Sequence, residues 1–142
     1  MKTSARNQFS GVIKEVVIGS VNAEVILELS GGELIVAAVT KESVESLGIK
    51  TGISAIALVK APQIIVVSDF GGYKISARNQ LSGTISRVTP GAVNSEVDIE
   101  LKGGQKVAAT VTVDSINTLG LQKGQTVTAV FKAGAVLLAI PA

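Results

Sequence analysis

Two cations and three hydroxyls, each written twice, are the residues of this chain best suited to chemistry. Arg6 and Lys60 supply charge, and Ser4, Thr40 and Ser43 supply hydroxyls. All five types return 72 positions later, as Arg78 and Lys132 with Ser76, Thr112 and Ser115. Such a set donates hydrogen bonds and carries positive charge without requiring a carboxylate. It suits a tetrahedral oxyanion, whose oxygens only accept. The chain has no Cys and no His, which removes thiolate and imidazole metal ligands together with the commonest general base. A serine nucleophile would have to rely on Lys or a carboxylate, and no spacing supports that pairing. Simpler roles stay open: Thr40 and Ser43 as helix caps, Arg6 and Lys60 as solvated charges, and Asn7 and Gln8 as turn residues.

These positions belong to a duplication. Ser4-Ala5-Arg6-Asn7-Gln8 returns unchanged as Ser76-Ala77-Arg78-Asn79-Gln80, and the register continues without a gap to Lys60-Ala61 and Lys132-Ala133. Roughly 40% of aligned positions are identical, over a period too long for a solenoid. Each copy is therefore expected to be a small domain, residues 1–70 and 71–142. Polar positions match as well as core ones, which suggests one task performed twice. The loop Gly19-Ser20-Val21-Asn22 recurs as Gly91-Ala92-Val93-Asn94. Consecutive amides in a glycine-bearing turn can form an anion nest, and the same residues suit an ordinary strand-to-strand turn. Glu24 and Glu28 recur as Glu96 and Glu100 and read as a solvated strand face.

The elements that must position these residues are mostly strands. Phe9–Ile18 is β-branched, and Val21–Leu29 alternates apolar and polar residues. Gly31-Gly32 suits a hairpin turn, and Glu33–Val39 forms a third strand. Thr40–Gly48 reads as a short helix with Thr40 as its cap, Val44 and Leu47 as its apolar stripe and Gly48 as its stop. Ser54–Ala61 and Gln63–Ser68 complete five strands. The second copy repeats the order, with strands at Leu81–Val88, Val93–Leu101, Gln105–Val111, Thr126–Lys132 and Ala135–Ile140 and a helix near Val113–Leu119. Three strands, a helix and two strands predict an all-β protein: tandem OB-fold-like five-stranded barrels, each with one short helix.

Composition narrows the function classes. Hydrophobic residues make up 46% of the chain, more than two isolated small domains hide easily, so oligomerisation or tight docking of the halves is expected. One Tyr, three Phe and no Trp leave few stacking platforms, and a net charge of +2 is modest. An OB-type nucleic-acid binder is the less favoured alternative on those grounds. The amino terminus has no apolar leader and no apolar run nears membrane-spanning length, so a soluble cytoplasmic protein with no membrane partner is expected.

Taken together, Ser-Ala-Arg-Asn-Gln, Val-Asn-x-Glu-Val, Gly-Gly, Val-Thr-x-x-Ser, Leu-Gly and Lys-Ala resemble the Mop domain of molybdate-binding proteins. Two such domains over nearly the whole chain resemble the di-Mop molbindins. The resemblance implies OB-like barrels and a non-enzymatic protein that binds molybdate, and tungstate, for molybdenum storage and homeostasis. It implies a homotrimer with oxyanions held between subunits. Carried over by position, one wall of a site holds Ser4, Arg6, Lys60 and the backbone at Ala61, facing Thr40 and Ser43 of a neighbour. The second set is Ser76, Arg78, Lys132 and Ala133, facing Thr112 and Ser115. Which half faces which stays open. Further sites on the threefold axis are assigned to Gly19–Asn22 and Gly91–Asn94, with Ala92 replacing the Ser20 hydroxyl. Molybdate brings its own oxo groups, so no direct protein–metal ligands are expected. The resemblance leaves two other readings, a nucleic-acid binder and an accessory module that senses the anion.

Overall fold

The computed structural model describes all residues, Met1–Ala142. In the first copy, β1 (Asn7–Ile18), β2 (Asn22–Leu29) and β3 (Leu34–Thr40) form an antiparallel meander. Helix α1 (Lys41–Leu47), β4 (Ser54–Val59) and β5 (Ile65–Val67) follow. The second copy gives β6 (Asn79–Thr89), β7 (Asn94–Leu101), β8 (Lys106–Thr112), α2 (Val113–Leu119), β9 (Thr126–Phe131) and β10 (Leu137–Ala139). The protein is mainly β, with two five-stranded antiparallel sheets and one short helix per copy, as the element order predicted.

The allocation of strands differs from that expectation. One sheet runs β10-β4-β1-β2-β3 and the other β5-β9-β6-β7-β8. Each therefore takes four strands from one copy and its last from the other. β5 pairs with β9, Ile65 opposite Val130, and β10 pairs with β4, Leu137 opposite Leu58. The short 3-10 turns at Ala61–Gln63 and Ala133–Ala135 carry the chain across. Both three-residue strands are apolar copies of one another, so either fits either sheet. The path of the connection takes each to the opposite copy's sheet.

β1 serves two neighbours. Residues 7–12 pair with β4 and residues 11–18 with β2, and a bulge at Lys14 lets the strand bend between them. Ser86 sits at the matching irregularity in β6. Gly11 lies mid-strand rather than in a turn. A Cβ there would stand 2.4 Å from the Glu28 carbonyl oxygen, and at Gly83 it would stand 2.5 Å from that of Glu100. Close strand approach, not turn geometry, requires these two glycines.

Alternating apolar residues of both sheets converge on one cluster of 27 buried residues, centred on Phe9, Ile13, Leu27, Ile35, Ile85, Ile99 and Phe131. The two copies thus share a continuous core. Asn7 and Asn79 reinforce it. Neither is a turn residue: both are buried at the starts of β1 and β6. The Asn7 side chain donates to Ala108 O at 2.9 Å and accepts from Ala108 N–H at 2.7 Å. Asn79 makes the same pair of bonds to Val36, both at 2.8 Å. Each amide completes the backbone bonding of an edge strand in the other sheet, where a row of unpaired groups would otherwise remain.

Candidate functional site

The helix caps form as the sequence predicted. Thr40 and Thr112 adopt extended backbone and accept from the amides of Ser43 and Ser115, while Gly48 and Gly120 close the helices in the left-handed conformation. Each cap Thr hydroxyl also donates to the Ser hydroxyl at 2.8 Å. The hydroxyl protons of Ser43 and Ser115 therefore stay available to donate outward. The predicted apolar stripe is only partly buried. Val44 packs inward, but Leu47 is 49% exposed and Leu119 42% exposed. Helix α2 buries no residue fully, so the second helix is held by its caps and by partly buried Ile116.

The loops Gly19–Asn22 and Gly91–Asn94 are exposed and lie against these caps. Val21 O accepts from Lys41 N–H, and Val93 O accepts from Val113 N–H. Asn22 pairs with Thr40 and Asn94 with Thr112. Loop and cap therefore form one patch in each copy. The Gly19 amide is spent on Asn22 O at 2.8 Å, which removes it from an anion nest.

Lys60, Arg78 and Lys132 line two clefts related by the repeat, whereas Arg6 lines neither. One, of about 420 Å³, gathers Ser4 and Lys60 with Gly134 and Leu137 of the other copy. The other, of about 440 Å³, gathers Ser76, Arg78, Lys132 and Ala133 with Gln63 and Ile65. The crossing of the chain after Lys60 and Lys132 is what mixes the copies here. Arg6, Lys60, Arg78 and Lys132 are exposed, and Ala61 and Ala133 are buried, Ala133 in the wall of the second cleft. A larger open depression of about 590 Å³ lies beside Ser82, Thr84, Lys102 and Lys123 and contains none of the candidate residues.

Neither arginine is a free surface charge. Arg6 is held by Glu96 through both terminal nitrogens, with Nη2 donating to Oε2 at 2.8 Å and Nη1 engaging Oε1. Arg78 Nη1 donates to both oxygens of Glu24, at 2.8 and 2.6 Å. Glu24 and Glu96 are therefore not a solvated strand face. Their recurrence inside Val-Asn-x-Glu-Val was the available signal, but sequence alone placed no cation opposite them. The register also carries Arg78 toward the first copy's cap. Glu24 pairs with Ala38 and Asn22 with Thr40, so Glu24 and Thr40 are diagonal neighbours on one sheet face. Such neighbours stand roughly 7–8 Å apart. Glu96 and Thr112 are related in the same way, which carries Arg6 toward the second cap. Within one chain, each arginine is thus held by a carboxylate that neighbours the cap of the opposite copy.

Residues 3–66 and 75–138 each match the TOBE domain. The chain belongs to the TOBE-domain family. It is 48% identical over 140 residues to the molybdenum transport protein ModE of Herbaspirillum seropedicae, covering 99% of this chain and 52% of that one. It is 37% identical over 141 residues to the molybdenum-pterin-binding protein MopA of Rhodobacter capsulatus, covering 99% and 53%. The chain thus spans about half the length of these curated relatives. Among solved structures, the cytoplasmic molybdate-binding protein ModG, in a crystal form with molybdate bound, superposes with a TM-score of 0.96 at 44% identity. That likeness covers 99% of this chain and 100% of the other. No helix here is long and apolar enough to cross a membrane.

Proposed function

We propose that this tandem TOBE protein binds molybdate, and tungstate with it, as an intact oxyanion. The full-length likeness to a molybdate-bound structure carries this reading, and the donor inventory supports it independently. Ser4 and Lys60, with Ser76, Arg78 and Lys132, provide hydroxyl and cationic donors at two clefts. The Ser43 and Ser115 hydroxyl protons add donors at the cap patches. The metal is already surrounded by oxygen, so the protein supplies hydrogen bonds and charge while water is displaced. Sulfate is rejected by size, because a longer metal–oxygen bond makes the larger anion reach donors that sulfate leaves stretched.

Assembly into a trimer, with the anion between subunits, is part of the proposal. Both clefts are open on one side, and their rims carry the exposed apolar residues Ile65 and Leu137. A neighbouring chain covering them would bury apolar surface and bring a second wall to each cleft. The anion would then neutralise cations gathered there, so binding and assembly would strengthen each other. Calorimetry with molybdate, tungstate, sulfate and phosphate tests the ligand, with strong heats expected for the first two alone. Native mass spectrometry with molybdate gives subunit count and anion stoichiometry together.

Storage is the role proposed for the chain acting alone. A sensing role is favoured by one observation, that it matches about half of longer ModE proteins, among them the transcriptional regulator of Yersinia pestis. Capture of a partner only when molybdate is present would support sensing over storage.

A further inference from the structure

The two arginine–glutamate pairs have a property that the binding proposal leaves unused. In each pair the carboxylate comes from the opposite copy, Glu96 to Arg6 and Glu24 to Arg78. A carboxylate and an oxyanion compete for the same guanidinium N–H groups, and a dianion beside an unmoved carboxylate is repelled. We propose that Glu24 and Glu96 are latches that occupy the arginines until a dianion displaces them, lowering affinity and making the two sites unequal. The inference rests on the reading that Arg78 meets the anion at its cleft and that Arg6, which the Mop resemblance assigns to the matching site, does the same.

The geometry ranks the latches. Glu96 engages both terminal nitrogens of Arg6, one oxygen to each, and its side chain is only 21% exposed. Glu24 engages a single nitrogen of Arg78 and is 40% exposed, which leaves Nη2 and Nε free to meet an incoming anion. The Arg78 site therefore fills first, and the Arg6 site fills at higher anion concentration. Latching also joins the copies, since opening the Arg6 site frees a carboxylate on β7 beside the Thr112 patch of the other half.

Molybdate titration of Glu96→Gln and Glu24→Gln by calorimetry tests this. Glutamine keeps the shape and one acceptor but loses the charge. Removing an ion pair of this kind is expected to tighten binding about two- to five-fold at the Arg6 site, and less at the Arg78 site. Glu96→Ala should change affinity in the same direction. The gain should vanish when Glu96→Gln is added to Arg6→Ala, because the latch then has nothing to hold. If Arg6→Ala weakens binding but Glu96→Gln leaves it unchanged or weaker, the carboxylate positions the arginine instead and the latch is overturned. If neither Arg6→Ala nor Arg78→Ala alters molybdate binding, the arginine assignment fails and the latch fails with it. Thermal melts of each variant separate these outcomes from unfolding.

Discussion

Asn7 and Asn79 show how much one side chain can decide here. Each satisfies a backbone N–H and a C=O on an edge strand of the other sheet, from a buried position. Asn7→Ala strands both Ala108 groups, so it should destabilise the protein by about 2–4 kcal/mol in chemical denaturation. Asn7→Asp should also destabilise, since a carboxylate cannot donate to Ala108 O. Lys132→Ala and Arg78→Ala are expected to behave oppositely. Both residues are exposed, so melting should move little while molybdate affinity falls about ten-fold or more on loss of a charge-assisted bond. The proposed binding residues stand out in the sequence because they are duplicated. The role of Asn7 was not legible: an amide in a polar pentapeptide reads as a turn until the strand it caps is known.

Among the elements, β1 and β6 are the most constrained. Each must bend to serve two partners while approaching a neighbour so closely that only glycine fits. Gly11→Ala pushes a methyl group against the Glu28 carbonyl in a ladder that cannot shift. We expect a loss of about 2 kcal/mol or more, read as a lowered denaturation midpoint without lost molybdate selectivity. The helices are governed locally. Thr112→Ala should cost about 1 kcal/mol through the cap alone. If the Ser115 hydroxyl also meets the anion, the same change should weaken molybdate binding, because Thr112 orients that hydroxyl. The caps were legible because Thr-x-x-Ser and a terminal glycine carry their own geometry. The exposure of Leu47 was not, because helical spacing tells which residues share a face but not which of them the rest of the fold covers.

At the scale of the whole molecule, the exchange of β5 and β10 makes each copy depend on the other. A chain of residues 1–70 carries β5 but lacks the β9 that receives it, and its own β4 lacks β10. Such a fragment is expected to dimerise by trading β5 between copies, reproducing the intact fold. Light scattering after size-exclusion chromatography would show twice the fragment mass, and a stable monomer would count against this interdependence. The shared core gives the same expectation, since separation would expose apolar residues of both sheets.

The sequence by itself determined the duplication, the two sets of strands, the capped helices and the inventory of donors, because each follows from local pattern or from comparing the chain with itself. It also supported the Mop resemblance, in agreement with the TOBE match over both copies. Tertiary structure alone decided which sheet receives each final strand, what Asn7 and Asn79 satisfy, and that Glu24 and Glu96 face the arginines. The physical reason is common to all three. A repeated sequence offers two equivalent partners for every contact, and only the path of the crossing chain between Lys60 and Ile64, and between Lys132 and Val136, chooses the partner in the opposite copy.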